Sequence, residues 1–376
     1  MIRVGVLTSS RADYGIYKPL LQALVNDSTF EVSIIAFGTH LSQFHGYTLQ
    51  CIVDDGFDVR YKVNSMLLHD DANSISTASA LTSLKFADFW NEHHTEFDVV
   101  FCLGDRYEMF GAVAAGIPFQ INFAHLHGGE TTLGAIDNIY RHAITLASTL
   151  HFVSQDAFAN RVADIVGNSD NIFVTGALSL DNLNSLQLLT KEEFKAKWSI
   201  DLNIPTALVT IHPETVDSEK NINYLREVIE AINFMALDHQ IVITLPNADT
   251  NGSVFRQGFN ALKYTLGNKL MLVENFGTQS YFSCMKHCKF LFGNTSSGII
   301  EAASFNKYVI NVGNRQKGRL AGENVIHVPF EANSLKTAIS RLIEAGDFSG
   351  ENPYYKGGAA MNIVNILKTH NRSDKL

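Results

Sequence analysis

Residues 290–302 read FLFGNTSSGIIEA, a short apolar run that ends in a Gly-Asn-Thr-Ser-Ser-Gly turn and continues into a helical pattern. The stretch predicts a buried strand that leads directly into a helix. The first N–H groups of a helix have no intrahelical partner, and the helix dipole favours a negative charge beside them. The turn therefore predicts an anion site, whereas an ordinary serine cap would explain one serine and not the whole string. The candidate ligand-binding residues are Asn294, Ser296, Ser297 and Gly298.

Glu301 lies one helical turn further along and can accept hydrogen bonds from a ribose diol. It favours a nucleotide as the anion. No GxGxxG follows the first predicted strand, and no GxxxxGKS or GxxxxGKT occurs anywhere, which disfavours a dinucleotide oxidoreductase and a P-loop NTPase.

Short β-rich runs alternate with helical stretches along the chain, which predicts βαβ units and parallel sheets. The predicted strands are Val4–Thr8, Glu31–Phe37, Val99–Leu103, Phe119–Ala124, Leu150–Val153, Ile172–Val174, Ala207–Ile211, Gln240–Leu245, Met271–Glu274, Phe290–Gly293, Tyr308–Val312 and Val325–His327. At 376 residues the chain is too long for one ordinary core. We expect an α/β protein of two doubly wound, Rossmann-like domains, residues 1–190 and 191–355, which face each other across a ligand cleft.

The composition, with 46% hydrophobic and 18% charged residues, is typical of a soluble enzyme. A net charge of −9 argues against nucleic-acid binding. The four cysteines fit neither a zinc ribbon nor a disulfide framework, so we expect reduced thiols and a cytoplasmic protein. No apolar run reaches ~18 residues and the N-terminus lacks a signal-peptide pattern, so we expect no membrane association.

Arginines follow one strand in each half of the chain. TSSRADYG (8–15) places Arg11 at a strand–helix junction. RQKGR (315–319) follows a strand in the second half, where Arg315 and Arg319 would clamp a phosphate. A solvated surface charge is the alternative in both cases.

Carboxylates and histidines concentrate after two strands of the first half, in LGDRYE (103–108) and HLHGGETTLGAIDN (125–138). Such groups side by side suit proton abstraction from carbon and proton return. Zinc is the rival ligand, but no convincing third ligand completes a site, so we expect no metal. Arg141 would hold one carboxylate in its charged form. The catalytic candidates are Asp105, His127, Glu130 and Asp137.

IHPET (211–215) follows the first strand of the second half, where Pro213 ends the strand and would expose the imidazole of His212. A histidine there can donate to a departing diphosphate. The next loop, PNADTNG (246–252), adds Asn247 and Asp249, although a turn-rich loop explains it equally well.

Together these motifs resemble the hydrolysing UDP-N-acetylglucosamine 2-epimerases, which make N-acetylmannosamine for sialic and related nonulosonic acids. The matching strings run from residue 8 to about 320 and include FVTGALSLDN, GNTSSGIIEA and NVGNRQKGR. The resemblance implies a glycosyltransferase-B-like architecture, with UDP held mainly by the second domain and a C-terminal helix (356–376) that packs on the first. It also implies a homodimer or homotetramer without a cofactor. Phe276 joins the candidates for UDP binding.

The resemblance gives catalytic roles to Asp105, Asp137 and His212, which match the family's GDR, GxID and HP motifs. Some members have HIEGGE where this chain has HLHGGE, so a carboxylate that is a catalytic candidate there is His127 here. Either His127 or Glu130 takes the acid/base role, and the sequence leaves this open.

The implied reaction removes the C2 proton while UDP leaves C1, and water then adds to the resulting 2-acetamidoglucal. One alternative substrate is UDP-2,4-diacetamido-2,4,6-trideoxyglucose, as in legionaminic acid synthesis. Further alternatives are a non-hydrolysing epimerase, an acceptor-dependent glycosyltransferase and a nucleotide-sugar sensor without catalysis.

Overall fold

A computed structural model describes residues 1–69, 71–216, 218–246 and 252–373. Its strands are β1 (Ile2–Thr8), β2 (Phe30–Phe37), β3 (Tyr61–Val63), β4 (Val99–Leu103), β5 (Phe123–Leu126), β6 (Leu150–Val153), β7 (Ile172–Val174), β8 (Thr206–Thr210), β9 (Gln240–Thr244), β10 (Leu270–Val273), β11 (Phe290–Gly293), β12 (Val309–Val312) and β13 (Val325–Val328). Its α-helices are α1 (Arg11–Val25), α2 (Leu49–Asp54), α3 (Ala72–His93), α4 (Tyr107–Gly116), α5 (Asp137–Leu146), α6 (Asp156–Val166), α7 (Asn182–Ser185), α8 (Lys191–Trp198), α9 (Asn221–Met235), α10 (Gly252–Leu266), α11 (Gly277–His287), α12 (Ser296–Ile300), α13 (Ala332–Glu344) and α14 (Ala359–Ser373).

The chain divides into two compact units. Unit 1 contains residues 1–130, 137–185 and 354–376, and unit 2 contains residues 131–136 and 186–353. The sequence-based boundaries at 190 and 355 remain predictions. They assigned residues 131–136 to the first domain, whereas the contacts of this short segment lie in unit 2.

Unit 1 is built on a seven-stranded parallel sheet with the strand order β3-β2-β1-β4-β5-β6-β7. After β1 the chain adds β2 and β3 on one side of the sheet, and after β4 it adds β5, β6 and β7 on the other side. The loops after β1 and β4 therefore lie at a topological switch point. One face of the sheet packs against α1 and α14, with Leu20 and Ile363 in the shared core. The other face packs against α3 and α4, around Phe86 and Trp90.

Unit 2 repeats this plan with a six-stranded parallel sheet, ordered β10-β9-β8-β11-β12-β13. Its switch point lies between β8 and β11, where the last residues, Thr210 and Gly293, are paired in register. Phe255 and Phe259 on α10 and Val228 on α9 fill one side of its core. The predicted fold class, two parallel-sheet Rossmann-like domains, is confirmed.

No helix in the described part of the chain is long and apolar enough to cross a membrane.

Candidate active site

Asp105 lies in the loop after β4, at the switch point of unit 1, and its carboxylate pairs with Arg141 of α5. The Arg141 side chain is 1% exposed, and its Nη1 also donates to the carbonyl of Glu130 at 2.9 Å. A buried guanidinium is stable only with an opposite charge and satisfied donors. Arg141 therefore fixes the Asp105 carboxylate and the backbone of Glu130 in one place.

His127 and Glu130 form the second part of this cluster. Nδ1 of His127 lies 2.9 Å from Oε1 of Glu130, and the Oγ of Ser154 donates to the same oxygen at 3.4 Å. The Glu130 side chain is 1% exposed and that of His127 is 11% exposed. His127 has φ = +62°, a left-handed conformation that is unfavourable for a side chain with a Cβ. The two side chains therefore form one hydrogen-bonded pair, and the choice between them for the acid/base role stays a prediction.

Asp137 is the first residue of α5 and lies one helical turn before Arg141. We call Asp105, His127, Glu130, Asp137 and Arg141 together the carboxylate–histidine cluster. All five lie in unit 1.

Arg11 is the first residue of α1, directly after the loop that follows β1. That loop is held by Asp13, which accepts hydrogen bonds from the hydroxyl of Thr8 and from the backbone and hydroxyl of Ser9. Burial alone would raise the pKa of Asp13, but the hydrogen bond and charge of His40, with the bonds from Ser9 and Thr8, hold it below its ordinary value. This buried carboxylate fixes the backbone that presents Arg11.

Two further histidines of unit 1, His125 and His151, are structural. Nε2 of His125 lies 2.9 Å from the carbonyl of Gly104, which can only accept, so this nitrogen carries the proton. Burial lowers the pKa of His125 to about 3 and that of His151 to about 4. Both rings are therefore neutral near pH 7.

In unit 2 the Ser-Ser-Gly turn, residues 294–298, follows β11 as predicted. Gly293 has φ = +157°, and a Cβ there would lie 1.9 Å from the carbonyl oxygen of Thr210, so only glycine can start the turn. The Oγ of Ser297 lies 2.6 Å from the hydroxyl of Tyr281, a residue that sequence reasoning missed. Burial raises the pKa of Tyr281 to about 12, so its hydroxyl stays protonated.

The helix after the turn is shorter than the pattern suggested. α12 runs from Ser296 to Ile300 only, and a 3₁₀ turn follows it, which reduces the contribution of a helix dipole. The predicted anion site would therefore depend mainly on the backbone N–H groups of the turn. Gly298 packs against Val309, and Glu301, 6% exposed, ends the helix.

The side chain of Asn294 joins this turn to the loop after β8. Its Oδ1 accepts from the N–H of His212 at 2.7 Å, and its Nδ2 donates to the carbonyl of the same residue at 2.8 Å. These bonds make Asn294 a brace for the turn. The prediction that Pro213 exposes the imidazole of His212 is wrong, because these bonds hold the residue against the turn and leave it 7% exposed.

Arg315 and Arg319 lie in the loop after β12. Nη1 of Arg315 donates to the carbonyl of Pro213 at 3.1 Å, and Nη1 of Arg319 donates to Oε1 of Gln316 at 2.6 Å. Gln316 in turn donates to the carbonyl of Asn294 at 2.8 Å. Backbone and side-chain contacts thus connect the loops after β8, β11 and β12 within unit 2.

Phe276 is 6% exposed, and its ring packs against Phe194 and Trp198, with ring centroids 5.4 and 4.8 Å away. Its ring thus takes part in the packing of α8 against α11. Asn247 and Asp249 lie outside the described residues. Among the residues described, no group of three or more His, Cys, Asp or Glu side chains is arranged to hold a metal ion.

Comparison of the chain with known proteins finds one family. The sequence profile described as UDP-N-acetylglucosamine 2-epimerase matches residues 22–368. The polysialic acid biosynthesis protein P7 of Escherichia coli is 32% identical over 98% of this chain and 94% of its own length. The UDP-N,N'-diacetylbacillosamine 2-epimerase (hydrolyzing) of Legionella pneumophila is 32% identical over 98% of this chain and 96% of its own.

Among solved structures, UDP-GlcNAc 2-epimerase from Neisseria meningitidis bound to UDP-GlcNAc superposes with a TM-score of 0.82. It is 19% identical in sequence and covers 98% of this chain and 100% of the other, so it supports the fold. The resemblance that the motifs predicted is confirmed, and the chain belongs to the UDP-N-acetylglucosamine 2-epimerase family.

Proposed function

We propose that this chain is a hydrolysing UDP-N-acetylglucosamine 2-epimerase, which converts UDP-N-acetylglucosamine and water to N-acetylmannosamine and UDP. In the first step the C2 proton moves to a base as the C1–O bond to UDP breaks, giving 2-acetamidoglucal. In the second, water adds its hydroxyl to C1 while a proton is delivered to C2 from the opposite face. The scheme requires neither a metal nor a nicotinamide cofactor.

The observation that carries the proposal is the hydrogen-bonded pair of His127 and Glu130. If Nδ1–H of His127 donates to the Glu130 carboxylate, Nε2 is left as a proton acceptor, oriented by a carboxylate that is almost fully buried. Proton transfer by a positioned side chain typically contributes about 10²–10⁴ in rate. We assign the acid/base contact with substrate to His127 and its orientation to Glu130.

Asp105 supplies a second proton-transfer group in the same cluster, with its carboxylate fixed by Arg141. Inversion at C2 requires proton removal on one face and delivery on the other, hence two separate groups. Asp105 and His127 are the pair that we propose, and Asp137 at the start of α5 assists them.

UDP binding is proposed for unit 2. The turn N–H groups and the Ser296 and Ser297 hydroxyls would donate to the diphosphate, and Glu301 would accept from the ribose. Because the C2–H is a weak carbon acid, stabilising the departing UDP must supply much of the rate acceleration. Further contacts to the diphosphate are proposed for Arg11, His212, Arg315 and Arg319, and to the nucleotide for Asn247, Asp249 and Phe276.

A second candidate substrate is UDP-2,4-diacetamido-2,4,6-trideoxyglucose. It is favoured by the Legionella relative, whose name specifies a hydrolysing diacetylbacillosamine epimerase at the same 32% identity as the polysialic acid protein. In either case we propose a cytoplasmic homodimer or homotetramer. Its mass in solution, measured by light scattering, tests the assembly.

Incubation with each UDP-sugar in D₂O, followed by NMR and mass spectrometry, tests the function. We expect free UDP and a 2-epimeric free sugar that carries deuterium at C2. Product without deuterium at C2 would exclude the elimination, and an epimeric UDP-sugar without free UDP would indicate the non-hydrolysing reaction. Turnover only after an acceptor sugar is added would indicate a glycosyltransferase.

A further inference from the structure

A buried carboxylate lies beside the loop that carries Arg315 and Arg319. We call residues 313–319, which follow β12, the arginine loop. Glu214 is 1% exposed, and its Oε1 accepts a hydrogen bond from the N–H of Asn314 at 2.5 Å. Both segments belong to unit 2. Burial of a carboxylate costs free energy unless the group is hydrogen-bonded, so the contact with the loop is part of what keeps this side chain in place.

The contact is close enough to define where the arginine loop begins. Gly313 has φ = +74°, and a Cβ there would lie 2.5 Å from Oε1 of Glu214 and 2.2 Å from Cε2 of Phe330. Only glycine lets the chain pass between these two side chains. Phe330 in turn stacks on Tyr224 of α9, with the ring centroids 4.2 Å apart. The first peptide of the loop is therefore held between the Glu214 carboxylate and an aromatic pair.

The backbone of Glu214 is anchored on the start of α9. Its N–H donates to Oδ1 of Asn221 at 3.0 Å, and its carbonyl accepts from Nδ2 of the same side chain at 2.9 Å. Asn221 is the first residue of α9 and is 1% exposed. The carboxylate thus extends from a fixed backbone, and it can act as a support for the arginine loop.

Arg315 directly follows the supported peptide. Its Nη1 donates to the carbonyl of Pro213 at 3.1 Å, and the next side chain, Gln316, donates to the carbonyl of Asn294 at 2.8 Å. Asn294 is the first residue of the Ser-Ser-Gly turn, for which we propose diphosphate binding. Within unit 2 the arginine loop is therefore held against both the HPE segment and the turn, and a shift of the loop would move the Arg315 guanidinium.

From this geometry we infer that Glu214 is a positioning residue, which holds the arginine loop so that Arg315 contacts the diphosphate of UDP. The inference rests on the UDP binding proposed above for unit 2. Glu214 and the diphosphate have charges of the same sign, so a direct contact between them would be repulsive. The effect of Glu214 on UDP affinity must therefore act through Arg315, and its carboxylate should matter only while Arg315 is present.

Glu214→Met, which keeps the length of the side chain and removes the acceptor oxygens, tests this. We expect the Kd of UDP, measured by calorimetry on the full chain, to rise by about tenfold, the loss expected for one charge-assisted contact to phosphate. Glu214→Gln keeps an oxygen that can accept from the N–H of Asn314, and its Kd should stay within threefold of the wild-type value. In an Arg315→Ala background, Glu214→Met should change the Kd by less than twofold, because the group that it positions is gone.

Glu344→Met, which changes an exposed carboxylate at the end of α13 in the same unit, is the matched control and should leave the Kd unchanged. Wild-type affinity in Glu214→Met would overturn the inference. A tenfold loss that persists in the Arg315→Ala background would also overturn it, because it would mark a residue that stabilises the unit as a whole. So would a glutamine variant as weak as the methionine variant. If the wild-type chain itself binds no UDP, the proposed function has failed, and the wild-type titration alone shows this.

Discussion

Asp105→Asn removes a charge from the carboxylate–histidine cluster while preserving the shape of the side chain. Arg141 would then keep its bond to the Glu130 carbonyl but lose its anionic partner. The amide cannot accept a proton from carbon, so we expect UDP release to slow by at least ~10². UDP affinity should be retained, because no contact between Asp105 and UDP is proposed.

The same substitution should also lower the free energy of unfolding. The burial of the Asp105–Arg141 pair allows the size of this loss to be estimated. Hydrogen bonds to charged groups contribute about 1.5–3 kcal/mol, and more when a buried charge is left alone. The Asp105 side chain is 28% exposed, so water can partly replace it, and we expect a loss of about 1.5 kcal/mol. Trp90 lies in unit 1 and Trp198 in unit 2, so urea unfolding followed by fluorescence in a Trp198→Phe background reports unit 1.

The matched control is Asp156→Asn, at the start of α6 in the same unit, with a side chain that is 82% exposed. It should change turnover by less than twofold and leave the urea midpoint unchanged. Turnover within threefold of wild type in Asp105→Asn would remove this residue from the chemistry. A matching loss of UDP affinity would instead make it a binding residue.

Two further predictions concern Tyr281 and the buried histidines. Tyr281→Phe removes the hydroxyl 2.6 Å from Ser297 and should weaken UDP binding by about 2- to 12-fold in calorimetry, the equivalent of one hydrogen bond of about 0.5–1.5 kcal/mol. The control is Tyr264→Phe, which changes a residue that is 96% exposed and should have no effect. Equal UDP affinities in both variants would refute a role for the Tyr281 hydroxyl. Acid should destabilise unit 1, because His125 and His151 have pKa values of about 3 and 4 in the folded chain, below the ordinary 6.5. As the pH falls from 6.5 toward 4, the unfolded chain takes up protons that the folded chain does not, which costs about 2 kcal/mol per histidine at pH 5. Urea midpoints at pH 7 and 5 measure this loss, and His151→Leu should reduce it; an unchanged midpoint at pH 5 would show that these rings protonate in the folded state.

The fold was largely predictable, because a buried parallel strand is a short apolar run with polar residues at its end. The errors have local causes. The predicted strand Phe119–Ala124 starts at Phe123, because Ile117–Phe119 form a 3₁₀ turn that ends at Gln120 with φ = +56°. The three-residue edge strand Tyr61–Val63 was missed because it is too short to show a periodicity.

The candidate site was predictable only for residues whose place in the fold follows from their position in the chain. Residues immediately after strands, such as Asp105 and Ser297, are brought to the switch points by the topology alone. Tyr281 was missed because its hydroxyl contacts a residue distant in sequence, Ser297. Such pairings depend on how helices and loops pack, which the local pattern does not encode.

The backbone at His127 indicates why its pairing with Glu130 matters. A residue with a Cβ at φ = +62° is less stable than glycine there by roughly 1–2 kcal/mol. A hydrogen bond to a buried carboxylate contributes about 1.5–3 kcal/mol, enough to offset that strain. Without Glu130 no hydrogen bond to the imidazole would offset the strain at His127, and without His127 the buried carboxylate would lose a donor. The two residues therefore depend on each other for their placement, which supports the proposal that His127 transfers the proton and Glu130 orients its ring.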